Sequence, residues 1–398
     1  MRYNYRYRLA PSDTHRETLD SHRDLYRQMY NHFFHRLNHE DGATKYVEIN
    51  QLPSIKQWWD VLTNLYSRTL QNVVEKLYTN LSRLKDAKDA GRKVGLLKWK
   101  APTEYRSFTY RQSGLELKNT SGQPVLRLSK IGEIPVRMYR DIPDGAKLKQ
   151  VTVKKEPTSE WFAIFGIETP DDPPEKPDEL TDVVGIDVGI LKYAHDTDGT
   201  AVESLDLSDE RERLKHAQRD HSRKQHGSAN YRNQQRVVAC RHAELKQKRR
   251  DFLHKLSNYY AREHDLVAVE DLNAAEMMQF DSNSRNRAAA AWGTFLRLLE
   301  YKCEREGTHF VVIDPRNTTM ECASCGVKTD KPLWVRELSC PACGFEANRD
   351  ANAAWNILVR GLKKVGTGCP ESMPAETALP TDTVVSAKRV VETGSPAR

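Results

Sequence analysis

The period of the apolar positions changes along this chain, and the changes divide it. From Arg2 to Leu9 aromatic, charged and apolar residues alternate as on an edge strand. Leu25, Met29, Phe33 and Leu37 then repeat at four-residue steps. A second stripe opens at Pro53-Ser54 and runs Ile55, Trp58, Leu62, Leu65, Val73, Leu77, Leu81 and Leu84. Two amphipathic helices forming a hairpin are predicted there. From about Lys98 the period falls to two. Strands are predicted over Tyr105–Arg111, Leu115–Lys118, Ile134–Arg140, Leu148–Lys154 and Glu160–Glu168, with turn signals at Ser113-Gly114, Ser121-Gly122, Pro143-Asp144-Gly145 and Pro157 between them. A small antiparallel barrel or sandwich follows, with the helical hairpin inserted after its first strand.

The acidic, proline-rich T-P-D-D-P-P-E-K-P-D-E (Thr169 to Glu179) reads as a linker at the main domain boundary. Beyond it come V-V-G-I-D-V-G-I, a polar hairpin through H-D-T-D-G-T, a long basic helical region and D-L-V-A-V-E-D-L. A helix around Trp292 to Arg305, the strand H-F-V-V-I-D, a group of paired cysteines and a helix from Ala351 to Leu362 complete the sequence pattern. Strands alternating with helices predict an α/β domain. The residues beyond about Gly366 carry neither period and are expected to be a disordered tail.

Length and charge refine this picture. At 398 residues the chain exceeds one ordinary core, and its net charge of +7 mildly favours a polyanionic partner. The opening M-R-Y-N-Y-R-Y-R-L-A lacks a signal-peptide core, and the longest apolar run, Ala288 to Leu299, is short and broken by Arg297. Four of the seven cysteines lie in metal spacing, while Cys240, Cys303 and Cys369 are scattered. That usage suits a reducing compartment. A cytoplasmic protein with no membrane partner is expected.

Three constellations carry chemistry. C-A-S-C (Cys322, Cys325) and C-P-A-C (Cys340, Cys343) are separated by fourteen residues, and Gly326 and Gly344 follow the knuckles where tight turns need them. Four thiolates leave no coordination position open, so one structural Zn²⁺ is expected. The second group is acidic. Asp187 lies inside the apolar G-I-D-V-G, Glu270 ends L-V-A-V-E, and Asp350 starts the helix after the cysteines. Carboxylates in buried strands are costly unless paired or bound to a cation. Converging, the three could hold two Mg²⁺ or Mn²⁺ ions and clamp a phosphodiester. Singly, Asp350 could cap its helix and Glu270 could pair with an arginine. The third is the basic span Arg211 to Lys255, in which Arg213, Lys215, Arg219, Arg223, Lys224, Arg232, Arg236 and Arg249 outweigh Glu212, Asp220, Glu244 and Asp251. It reads as a nucleic-acid contact or, alternatively, as a solvated helix face.

Together these residues resemble the TnpB family, RNA-guided DNA endonucleases encoded by insertion sequences and related to type V CRISPR effectors. G-I-D-V-G, V-E-D-L-N (Val269 to Asn273) and N-R-D-A-N-A-A-W-N-I, from Asn348, resemble the three RuvC motifs; H-G-S-A-N-Y-R, D-F-L-H-K-L-S and C-P-A-C-G-F-E-A-N-R-D also match. T-T-M (Thr318 to Met320) stands where T-S-Q is frequent, a departure bearing on that loop's contacts.

The resemblance implies Asp187, Glu270 and Asp350 as catalytic residues holding two Mg²⁺ or Mn²⁺ ions, and the four cysteines as zinc ligands. It implies a multidomain fold: an RNase H-like RuvC nuclease domain (181–320 and 346–365) with a zinc-ribbon insertion (321–345), and an N-terminal wedge β-barrel (1–12 and 92–170) with a helical recognition insertion (13–91). Residues 171–180 are the linker and 366–398 the tail. The implied partners are a guide RNA derived from the transposon end and double-stranded target DNA with a short flanking motif, with no small-molecule substrate, in a nucleoid-associated prokaryotic protein. Arg349 stands beside Asp350 as a phosphate contact or a structural ion pair. A guide-directed regulator without cleavage and a guide-independent transposase or resolvase-like nuclease are the alternative readings.

Overall fold

The computed structural model describes residues 1–120, 122–272, 291–330, 332, 335–366 and 383–385. Asn273, at the end of the second motif, and Cys369 lie outside them. The chain forms two compact units, Met1–Asp172 with Gln235–Cys240, and Pro173–Gln234 with Arg241–Arg398. Among the described residues no helix is long and apolar enough to cross a membrane.

In the first unit β1 (Arg2–Leu9) is followed by helices α1 (Asp13–His39), α2 (Lys45–Trp58) and α3 (Ser67–Asp89), then by β2 (Ser107–Arg111), β3 (Leu115–Thr120), β4 (Gln123–Leu128), β5 (Gly132–Arg137), β6 (Lys147–Lys155) and β7 (Trp161–Glu168). The strands pair antiparallel in the order β2-β6-β7-β1-β5-β4-β3. The two end strands, β2 and β3, are joined by only the three residues Gln112–Gly114, so the sheet curls until its edges meet. One core joins sheet and helices: Tyr7, Tyr110, Trp161 and Phe165 are buried with Tyr26, Met29, Phe33 and Leu77.

Two expectations change here. The second helical stripe is split, because the chain leaves the helix at Trp59 and makes a 3₁₀ turn over Asp60–Asn64 before α3 begins. Leu62 and Leu65, three apart, stay buried on the tighter period, while Trp58, beside the break, is 65% exposed and leaves the stripe. Pro53 lies inside α2, which starts at Lys45 with the Thr44 hydroxyl accepting from Val47 N (3.4 Å). The other change is β4, hidden in the sequence by the proline of Q-P-V-L-R-L; its register nonetheless places Leu126 opposite both Leu117 and Ile134.

The second unit is built on β8 (Val183–Val188), β9 (Lys192–Asp196), β10 (Thr200–Glu203), helices α4 (Ser208–Ser222) and α5 (Ala229–Glu263), β11 (Leu266–Glu270), α6 (Trp292–Glu306), β12 (His309–Ile313), β13 (Glu337–Ser339), β14 (Glu346–Asn348), α7 (Arg349–Val365) and β15 (Thr383–Val385). The main sheet has the order β12-β11-β8-β9-β10-β15. Strands β8, β9 and β10 form an antiparallel meander, while β11 and β12 run parallel to β8. Within the expected tail, Thr383–Val385 pairs parallel with β10, where T-V-V finds an edge strand left open by the meander. The basic region is two helices, broken before Ser228, whose hydroxyl caps α5 by accepting from Tyr231 N (3.0 Å).

Alternation decides which side chains meet. Val184, Ile186, Val267 and Val269 pack against Phe252, Leu256 and Tyr260 of α5 and Phe295 of α6. Leu266 and Ala268, on the opposite face of β11, pack against Ile357, Leu358 and Leu362 of α7. A side chain on Gly185 would strike this helix, since an added Cβ would lie 2.2 Å from Ala354 O. That glycine therefore lets α7 lie directly on β8.

Candidate active site and metal centre

The same alternation aims the acidic residues. Asp187 is two residues beyond Gly185 and Glu270 two beyond Ala268, so both point toward the α7 face. Strand register sets them level: Val269 pairs with Ile186, which places Glu270 beside Asp187 on neighbouring parallel strands. Asp350 joins them from the first turn of α7. It is not the cap of that helix; Asn348 is, accepting from Asp350 N (2.9 Å) and Ala351 N (3.5 Å) through its side chain. Three carboxylates from distant segments thus meet at one end of the sheet.

Their electrostatics follow from this placement. Asp187 is pushed well above the usual carboxylate range, first by burial and then by the charges of Glu270 and Asp350, which Arg336 and Arg349 only partly offset. Glu270, 8% exposed, is raised by burial; a hydrogen bond from Thr318 and the charge of Arg360 pull the other way. A buried carboxylate repelled by two neighbouring ones suits a hard divalent cation. Nitrogen groups already lie against Asp350: Arg336 Nη2 donates to its Oδ2, and His195 Nδ1 is 3.6 Å from the same atom.

His195 and Thr318 were not singled out by sequence reasoning. His195 lies directly opposite Asp187 in the β8–β9 ladder and is 6% exposed. The polar hairpin expected through H-D-T-D-G-T is really the second of two turns. The first, closed by Gly189 N donating to Tyr193 O (3.1 Å), carries little turn signal beyond its glycine. Thr318, buried, donates its hydroxyl to Glu270 Oε1 (2.5 Å). It begins the T-T-M stretch, so the departure at the next two positions spares this contact.

The four cysteines form the other centre. Their Sγ atoms all lie within 4.8 Å of one another, with Cys322–Cys343 at 3.7 Å and Cys325–Cys340 at 3.5 Å. Tetrahedral zinc with Zn–S near 2.3 Å requires S–S edges of about 3.8 Å, so the set can hold a zinc ion. Among the described residues it is the group of His, Cys, Asp or Glu close enough to bind a single ion; the carboxylates surround Asp187 more loosely. The knuckles are matched turns: Gly326 N donates to Cys322 O (2.8 Å) and Gly344 N to Cys340 O (2.9 Å), with both glycines at positive φ. Helix α7 binds the first knuckle through Asn352, which accepts from Ala323 N (2.8 Å) and donates to Glu321 O (2.7 Å). Asn356, one turn on, donates to Thr318 O (2.8 Å).

The basic residues divide. Lys215, Arg219, Arg223, Lys224 and Arg232 are exposed on α4, the turn after it and the start of α5. Arg213 is held by Glu210 (2.9 Å), and Arg236 donates to Thr158 O (3.1 Å). Arg249 is half-buried. Arg349 is 5% exposed, and its guanidinium donates to Pro332 O (2.8 Å) and Thr319 Oγ1 (3.2 Å). Its guanidinium is thus engaged by the segments around the cysteines.

Residues 151–281 match the family model described as "Probable transposase" (OrfB_IS605), and residues 292–357 the model "Cas12f1-like, TNB domain". The chain belongs to the TnpB family. A relative of this TnpB-family chain in Streptomyces pristinaespiralis, named "Putative RNA-guided DNA endonuclease", is 37% identical over 276 residues, covering 68% of this chain and 65% of that protein. The match therefore spans just under two thirds of that relative's length. InsQ of Escherichia coli (strain K12), which bears the same descriptive name, is 27% identical over 357 residues, covering 83% of this chain and 85% of that one. Among solved structures, that of a Cas12f1–sgRNA–target DNA complex shares the fold with a TM-score of 0.56 at 15% identity, covering 86% of this chain and 82% of that one.

Proposed function

We propose that this chain is an RNA-guided DNA endonuclease of an insertion sequence whose second unit is an RNase H-like RuvC nuclease. The observation that carries the reading is the meeting of Asp187, Glu270 and Asp350 on one sheet face, where burial and mutual repulsion call for a divalent cation. The antiparallel meander continued by two parallel strands supports the nuclease fold, and the paired cysteines with their matched turns support a structural zinc ribbon. Two Mg²⁺ or Mn²⁺ ions, when bound, would supply the charge that activates water and stabilises the leaving oxygen. Asp187, Glu270 and Asp350 would hold them, and Thr318 orients Glu270 and favours its ionised form. The curled barrel (1–12 and 92–170) with its helical insertion (13–91) would bind a guide RNA from the transposon end and read a short motif flanking the target. Pairing with the guide then supplies sequence specificity, while the exposed cations from Lys215 to Arg232 contact phosphates.

The test is cleavage of a plasmid carrying a guide-matched target by the purified ribonucleoprotein with Mg²⁺. Cleavage should require the guide and the matched sequence; equal cleavage after RNA removal would refute the guided reading. Thr318→Val, which keeps the shape and removes the hydroxyl, is expected to slow cleavage about 10- to 100-fold, as loss of a residue supporting a metal ligand does. Without that donor Glu270 holds its proton to higher pH, so the acid limb of the pH–rate profile should move upward while zinc content is unchanged.

A further inference from the structure

Helix α5 turns a stripe of buried residues inward: Leu245, Phe252, Leu256 and Tyr260. Arg249 falls in register with that stripe, four residues after Leu245 and three before Phe252. A guanidinium there costs stability unless it is partnered, yet its buried Nε has no hydrogen-bond partner. Arg249 lines a cavity of about 290 Å³, at the small end of ligand pockets. Tyr193, Phe252 and Leu253 give the cavity apolar walls, and Arg211, from the first turn of α4, also lines it. The two cations repel each other across it, and Arg249 is lowered by burial and by Arg211. The carboxylate in the lining, Asp206, is exposed and already accepts from Ser208 N (2.9 Å). Two guanidinium groups facing a partly apolar hollow form a site for an oxyanion with a carbon skeleton attached.

We propose that this pocket is an anion subsite that takes a phosphodiester of a nucleic-acid strand between Arg211 and Arg249. The identity of the strand rests on the nuclease reading. The wall residues Ile190 and Tyr193 belong to the β8–β9 hairpin that carries Asp187. Asp187 itself points to the α7 face while the α5 walls of the pocket lie on the other face of the sheet, so the subsite takes a phosphate apart from the one engaged at Asp187.

The first probe is inorganic phosphate on the full chain, against sodium chloride of matched ionic strength. Phosphate should raise the thermal midpoint of the wild type in proportion to its occupancy. Arg249→Met, which fills the stripe with an apolar side chain, should raise the midpoint without phosphate and abolish the phosphate response. Arg211→Gln, at a half-buried position, should abolish the response while leaving the fold intact. A response equal in all three proteins, or absent from the wild type, overturns the subsite. The second probe is the salt dependence of affinity for guide RNA and for single-stranded DNA. Removing one contact should reduce the slope of log K against log salt by about 0.7 for the strand that uses the pocket, and unchanged slopes for both overturn the strand assignment. A wild type that responds to phosphate but fails guided cleavage would leave the subsite standing and refute the nuclease reading.

Discussion

Replacing Asp187 by asparagine should lower DNA cleavage by about 10³-fold or more while raising the stability of the protein in Mg²⁺-free buffer. The first effect follows from its place between Glu270 and Asp350: losing its charge would weaken the proposed metal clamp, such a clamp being worth several kcal/mol, and each 1.36 kcal/mol is a factor of ten in rate. The second follows from the raised pKa of Asp187 in the folded chain. A carboxyl that holds its proton more tightly folded than unfolded stabilises fully below the ordinary carboxylate pKa. That contribution is lost as pH rises through the folded-state value. At neutral pH the metal-free wild type therefore bears either a buried, repelled charge or the cost of keeping its proton, and the asparagine variant bears neither. The variant's thermal midpoint should exceed the wild type's by a few degrees at pH 7.5, at about 2–4 °C per kcal/mol. The gap should narrow as pH falls toward 5, and added Mg²⁺ should stabilise the wild type more than the variant. Thermal scans at both pH values, alongside guide-RNA binding and plasmid cleavage, read all of these effects. Wild-type cleavage by the variant would remove Asp187 from the mechanism.

How much of this site was legible in the sequence depends on the reach of each signal. The cysteine knuckles are local, since spacing and a following glycine define each turn. Asp187 and Glu270 were visible because a carboxylate inside G-I-D-V-G or ending L-V-A-V-E contradicts its apolar surroundings. Their convergence was not visible, because it depends on which strands are neighbours and in what register. The same is true of His195, which takes its place from the pairing Asp187↔His195, and of Thr318, which reaches Glu270 across 48 positions of sequence. The helical stripe from Ile55 to Leu84 misled for a different reason. A three-residue spacing fits both an α-helix and a 3₁₀ turn, so hydrophobic period could not reveal the break at Trp59. Arg249 gave the opposite lesson: counted within a basic run it looked like one more exposed cation, and only its phase against Leu245 and Phe252 marks it as inward-facing.

Loss of zinc is expected to act on the carboxylates through the ribbon. Among the described residues the cysteine segment buries, apart from its cysteines, little more than Leu338 with Phe345 packed against it, too little to hold a fold without a metal. Zinc binding to such a motif is folding free energy, apparent values being about 10–16 kcal/mol in small zinc-binding peptides. Cys340→Ser should therefore release zinc and unfold the ribbon locally. Two supports of the active site would go with it. Thr318, held by Asn356, would no longer be fixed beneath Glu270, and Arg336, just before β13, would leave Asp350. Cleavage should fall by at least about 100-fold, the upper end for losing support around metal ligands. The ribbon's role can be separated from that of its sulfur atoms by Cys343→His at the exposed knuckle position. Three cysteines and a histidine still make a closed tetrahedral site, so this variant should retain one zinc per chain and most of its cleavage. Metal analysis beside cleavage rates decides the matter: a zinc-free Cys340→Ser protein that cuts at the wild-type rate would show that Glu270 and Asp350 are held without the ribbon. Loss of activity in a zinc-loaded Cys343→His protein would show that the thiolate itself, rather than the fold it supports, is needed.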